Sequence, residues 1–109
     1  MISVTILAFD YVLASALTGM QELLYLTEGS ATQRRFSVQI ASWDGEPVDT
    51  LNNFQITPHC ALRDLEHSDV YLIPNITGDI ERTLAANKEI VAELARVGQG
   101  GSMIGSNST

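Results

Sequence analysis

Short apolar runs alternate with helix-patterned stretches along this chain, and that alternation constrains its fold more than any other feature. "SVTILAF" (3–9) is nearly continuous and β-branched, the mark of a strand buried on both faces. "FSVQIASW" (36–43) sets Phe36, Val38 and Ile40 against Ser37, Gln39 and Ala41, which predicts a second strand. "DVYLIP" (69–74) predicts another, stopped by Pro74. "SMIGS" predicts the last, with Met103 and Ile104 as its buried part.

Between the runs, residues 12–27 repeat Leu13, Ala16, Leu17, Met20, Leu23, Leu24 and Thr27 at three- and four-residue spacing, a helix pattern with Gly29 placed for its C-cap. Asp44-Gly45 predicts a turn. "PVDTL" and "FQITP" around Asn52-Asn53 predict a small hairpin, and "HCALRDLE" after Pro58 predicts one or two helical turns. Residues 78–98 predict one long helix, with Asp79 as N-cap and Ile80, Leu84, Val91, Leu94 and Ala95 facing inward. Gly98 is read as its end. The order β-α-β-hairpin-α-β-α-β implies an α/β fold: a mostly parallel sheet with helices on both faces.

At 109 residues there is room for one domain. Six basic residues against thirteen acidic ones give a net charge of −7, a surface that repels phosphate and excludes direct nucleic-acid binding. The single cysteine, Cys60, excludes an internal disulfide and a cysteine-based zinc cage. No metal and no cofactor are expected. The apolar N-terminus lacks a basic n-region and is interrupted by Asp10, which argues against a signal peptide. No run of 18 or more apolar residues suggests a membrane span, and a cytoplasmic setting is expected.

In parallel sheets, ligands gather at the carboxyl ends of strands. Three places qualify: Asp10-Tyr11, the loop Pro74-Asn75-Ile76-Thr77-Gly78, and Ser106-Asn107-Ser108-Thr109. In the last, small residues around Ser108 suit a nucleophile elbow, with following backbone N–H groups able to hold an oxyanion. G-x-S-x-G is not met in full, so pattern alone favours an ordinary polar turn. Glu22 lies off the apolar stripe of its helix and reads as a solvated carboxylate. His59, Cys60 and His67 lack metal spacing and read as surface histidines with a core thiol.

"VTILAFDYVLASALTGMQELLYL" and "RFSVQIASWDGEPVDTLNNFQITPHCALRDLEHSDVYLIP" resemble the class I glutamine amidotransferase-like domains of the ThiJ/PfpI superfamily. The nearest version is the one at the N-terminus of AraC-type transcriptional regulators. The resemblance runs the length of the chain and implies a flavodoxin-like ThiJ/PfpI sandwich, present only as its N-terminal part, residues 1–109 ending at the elbow. It puts Ser108 at the usual elbow cysteine and Glu22 at the glutamate that approaches it. Asp10, Asn75, Ile76, Asn107 and Thr109 would complete the pocket.

The departures count against catalysis. A serine without an activating base stays protonated near neutral pH. Asn75-Ile76 stands where a Gly-Gly usually forms the oxyanion loop, and the family's histidine lies beyond Thr109. The resemblance thus implies a non-catalytic sensor and dimerisation domain of an AraC-family regulator. Its expected partners are the remainder of its own domain (a C-terminal segment or second chain), a second copy, and a small-molecule effector, with DNA reached through a downstream helix-turn-helix domain. The alternative it leaves is a hydrolase (peptidase, amidase or glyoxalase-like) using Ser108.

Overall fold

The first apolar run becomes β1 (Ile2–Leu7), whose Val4, Thr5, Ile6 and Leu7 are buried on both sides because strands flank it and helices cover it. The structure is a computed structural model and describes residues 1–28 and 35–106. After β1 come α1 (Ala14–Glu28), β2 (Phe36–Ser42), a hairpin of β3 (Val48–Asp49) and β4 (Gln55–Ile56), and β5 (Cys60–Ala61). A 3-10 turn (Leu62–Asp64), β6 (Val70–Ile73), α2 (Ile80–Ala86), α3 (Lys88–Gln99) and β7 (Met103–Ser106) follow. The main sheet runs β5-β2-β1-β6-β7 with every pairing parallel, and the hairpin forms a separate antiparallel pair.

The chain steps from β1 to β2 in one direction and from β6 to β7 in the other. Right-handed crossovers then put α1 on one face and α2 with α3 on the opposite face. The expected α/β architecture is therefore present. Thr5 is polar at the centre of this core, and its hydroxyl is satisfied by Ser68 Oγ at 2.8 Å and by the Gln39 amide at 3.3 Å.

Several expectations need correction. Residues 78–98 form two helices, because Asn87 leaves helical geometry (φ −127°, ψ 40°) and turns its carboxamide onto the loop after β1. The inward residues therefore belong to two registers: Thr83 on α2, then Ile90 and Val97 on α3. Ile80, Leu84, Val91 and Ala95 are exposed. Asp79 does cap α2, accepting from the Arg82 N–H at 3.0 Å, and α3 continues past Gly98 to Gln99 with Gly100 at its cap.

"HCALRDLE" is not helical at its start. Cys60-Ala61 extends the sheet as β5 beside Ala41-Ser42, since His59 exchanges N–H and Nδ1 bonds with the Ile40 backbone, each at 2.8 Å. Only Leu62–Asp64 turn, anchored by buried Leu62. Leu23 does not face inward: it follows Leu17 by six residues, roughly 240° around the helix, and is 69% exposed. Met103 and Ile104, read as buried, are 67% and 40% exposed, because β7 is an edge strand that pairs only with β6 among the described residues. Gly29 lies outside the described residues.

At the amino ends of the strands, Asp69 accepts from the Ser3 N–H (2.9 Å) and Oγ–H (3.0 Å), and meets His67 Nε2 at 3.1 Å. The Ser3 backbone bond, then the His67 contact, holds its carboxyl below the usual carboxylate range. A depressed folded value stabilises above the unfolded pKa of about 3.9 and is lost as pH falls through the folded one. Asp69→Asn is expected to lower the urea midpoint at pH 7 and to match the wild type once both carboxyl states are protonated. A gap that persists unchanged under acid would contradict the assignment.

Candidate functional site

The carboxyl end of β1 enters a loop that the rest of the molecule holds from two sides. Ala8 N–H still bonds the Ala41 carbonyl at 2.8 Å, so the sheet continues one residue further. The hairpin then takes over: Tyr11 N–H donates to the Asp49 carbonyl (2.8 Å), Asp49 N–H donates to Asp10 Oδ1 (3.1 Å), and Leu51 N–H donates to the Val12 carbonyl (2.9 Å). From the opposite side, Asn87 Oδ1 accepts from the Asp10 N–H (3.2 Å) and Asn87 Nδ2 donates to the Asp10 carbonyl (3.1 Å). One side chain thus satisfies both backbone groups of Asp10.

Tyr11 sits at φ 71°, a left-handed conformation that an aromatic residue adopts only under constraint. Its hydroxyl accepts from Arg82 Nη2 at 2.8 Å, and the guanidinium carbon lies 4.2 Å from the ring centroid. Cation and ring are at attractive distance.

A cleft of about 240 Å³ opens between this loop, the end of β2, the start of the hairpin and the α2–α3 junction. Asp10, Trp43, Asp44, Glu46, Asn87 and Glu89 are among its walls. Most of the polar groups are already committed: Ser42 Oγ donates to the Glu46 carbonyl (2.8 Å), Asp44 Oδ1 accepts from the Glu46 N–H (3.1 Å), and Asn87 bonds Asp10 and the Thr83 carbonyl. A second, apolar groove of about 210 Å³, partly open to solvent, lies along α2 and α3, with Leu7, Ile73, Ile76 and Leu94 in its walls. Phe9, Asn87 and Ile90 border both spaces.

Of the residues expected at a site, Asp10 lines the cleft. Ile76 lines the apolar groove instead, together with Ile73 and Leu94. Asn75 is half-buried, with its amide 3.5 Å from Thr77 Oγ1, and borders neither space. Glu22 is exposed on α1 and borders neither. Asn107, Ser108 and Thr109 lie outside the described residues.

Cys60 is half-buried, and burial pushes its thiol pKa up, which suppresses thiolate chemistry. Among the described residues no group of three or more His, Cys, Asp or Glu side chains is placed to hold a metal ion.

Tyr11 as a strained residue, Arg82 and Asn87 were not legible as site residues. The one usable signal was Asn87 itself, since a mid-helix asparagine competes for backbone bonds and marks helix ends. Trp43, the residue after β2, is a cleft wall.

Comparison with family models and with curated proteins gives no match. Solved structures do match. A candidate transcriptional regulator from Vibrio parahaemolyticus superposes at TM-score 0.77 with 14% identity, over 96% of this chain and 55% of its own. An AraC-family transcriptional regulator from Pseudomonas putida gives 0.74 with 15% identity, over 97% of this chain and 64% of its own. DJ-1beta of Drosophila melanogaster gives 0.73 with 18% identity, over 96% of this chain and 54% of its own. The chain spans between half and two thirds of the length of these proteins. At such identities the likeness is one of fold, and the fold is the one shared by DJ-1 superfamily proteins and these regulators. No helix of the described residues is long and apolar enough to cross a membrane.

Proposed function

We propose that residues 1–109 are the N-terminal part of one amidotransferase-like α/β domain serving as the sensing and dimerisation domain of an AraC-family transcriptional regulator. In this reading the protein works in the cytoplasm as a homodimer without a cofactor. The rest of the α/β domain comes from a following segment or a second chain, and DNA is bound by a separate helix-turn-helix domain.

The observation that carries the reading is the cleft at the carboxyl ends of β1 and β2. It is concave and walled by Trp43 and Phe9, yet among the described residues no histidine or cysteine lines it and its one hydroxyl, on Ser42, is spent on a backbone carbonyl. Such a concave, partly aromatic site is suited to binding a small ligand. A serine at position 108, where the resembling domains carry cysteine, weighs the same way.

Cleft chemistry also narrows the effector. Asp10, Asp44, Glu46 and Glu89 bring carboxylates to its walls, and no described lysine or arginine lines it. A carboxylate or phosphate ligand would be repelled, so the effector is a neutral or cationic molecule. Its size is limited too, because the volume falls below the ~300 Å³ at which pockets for drug-sized ligands begin.

Extending the reading frame beyond Thr109 tests the regulator directly. Two helix-turn-helix units after completion of the α/β domain are expected; a frame that closes on the α/β domain alone would sink the proposal. Hydrolysis is tested separately: the full-length protein and its Ser108→Ala variant are expected to show equal background turnover of amide and ester substrates. A selective loss in the variant would make it an enzyme.

A further inference from the structure

We infer that α2 is a hinged lid over the apolar groove, latched by Arg82 on Tyr11. Both ends of α2 are joints rather than continuations: Gly78 precedes it at φ 89°, and Asn87 ends it at φ −127°, ψ 40°. Between them, α2 buries only Thr83 and leaves Ile80 and Leu84 exposed.

Its hydrogen bonds are mostly its own. Asp79 caps Arg82 N–H and Thr83 Oγ1 donates to the Asp79 carbonyl, so both bonds would travel with the helix. Asn87 Nδ2, which donates to the Thr83 carbonyl, also donates to the Asp10 carbonyl and stays with the hinge. Among the described residues, the Arg82–Tyr11 bond is the one hydrogen bond joining Ile80–Ala86 to a part of the chain outside 79–87. A seven-residue helix gains little stability of its own in water, so the position of α2 depends on the Arg82 tether and on buried Thr83. α3 is held differently, by buried Ile90 and Val97.

Tyr11 is the receiving half of the latch. Its left-handed backbone is an unfavourable conformation for an aromatic residue, maintained by the Asp49 carbonyl on its N–H and by Arg82 on its ring and hydroxyl. Release of Arg82 lets α2 swing about Asn87 and carries Thr83 and Leu84 outward, widening the partly open groove toward Leu7 and Ile73. The polar cleft is connected to this motion. The Asn87 carboxamide that forms the hinge holds both backbone groups of Asp10, and Phe9 and Ile90 border both spaces. Anything that displaces Asp10 moves the hinge.

Hydrogen exchange read by mass spectrometry on the whole chain tests the lid. In the wild type, residues 80–86 are expected to exchange faster than 90–97. Arg82→Ala removes the ring contact and the hydrogen bond and should speed exchange in 80–86 by roughly tenfold, with 4–7 and 90–97 unchanged. Tyr11→Phe keeps the ring contact and should give a smaller acceleration in the same segment. Uniform acceleration of all segments, or none in 80–86, would overturn the latch. A second measurement places Ile73→Cys in a Cys60→Ser background and follows labelling by an uncharged thiol reagent. Arg82→Ala should raise that rate by a similar factor, whereas faster exchange with unchanged labelling means that α2 frays without widening the groove, and the lid is wrong.

Discussion

Replacing Ile6 by alanine is expected to remove much of the stability of the fold. Ile6 is fully buried in the central strand, level with Ile40 on β2 and Leu72 on β6, so the missing carbons leave a cavity that three strands hold open. Loss of an isoleucine side chain from such a site costs about 2–5 kcal/mol, and a parallel sheet interior has little freedom to collapse. A domain of this size is stable by about 5–15 kcal/mol in total, so the change consumes a large share of it. Urea unfolding followed by circular dichroism measures the effect, with Ile6→Val as the control at about 0.5–1.5 kcal/mol. Equal midpoints for the two variants would mean that β1 is not the packed centre of the sheet.

The second large effect is expected at Gly45, in the turn between β2 and the hairpin. Gly45 holds φ 81°, and a Cβ there would stand 3.3 Å from the Cβ of Ala61. Gly45→Val sets a β-branched residue in left-handed geometry, which costs roughly 1–3 kcal/mol before crowding against β5 is counted. Gly45→Asn adds the same Cβ but tolerates the left-handed region, so it should cost clearly less. The difference between the variants isolates backbone strain from contact with Ala61. Because Asp44 and Glu46 flank the turn and line the cleft, Gly45→Val should also distort the cleft more than Gly45→Asn does. Equal unfolding midpoints would show that crowding, rather than φ, dominates at this turn.

Strands were the most legible part of this protein. A buried parallel strand writes itself as a continuous apolar, β-branched run, and 3–9 became β1 with its core at Val4 to Leu7. The Asp44-Gly45 turn, the hairpin around Asn52-Asn53 and the Asp79 cap were legible for the same reason: each rests on the conformational habits of a few adjacent residues. Burial at the periphery was less legible. Met103 and Ile104 are apolar enough for a core, but their exposure is set by β7 having a described neighbour on one side only. Leu23 fits a loose helix pattern, yet the face that α1 presents is chosen by Ala16 and Leu17 against the sheet. Of the candidate cleft, the place of Asp10 was legible because topology puts a residue following β1 at the carboxyl edge of the sheet. The roles of Arg82 and Tyr11 were not, since 71 positions separate them in the chain.

The sequence by itself determined the alternation of strand and helix, hence a parallel α/β sheet, an acidic surface and a candidate binding edge at the carboxyl ends of its strands. These follow from local periodicity and composition, which any segment carries with it. Tertiary structure decided that residues 78–98 break in two. Asn87 is a weak helix former that a helix can still run through, and here its amide instead satisfies the N–H and carbonyl of Asp10. That long-range contact creates the hinge, the shared wall between the cleft and the groove, and the short helix held by Arg82. A bond between residues 77 positions apart leaves no periodic trace in the chain, which is why folding had to reveal it.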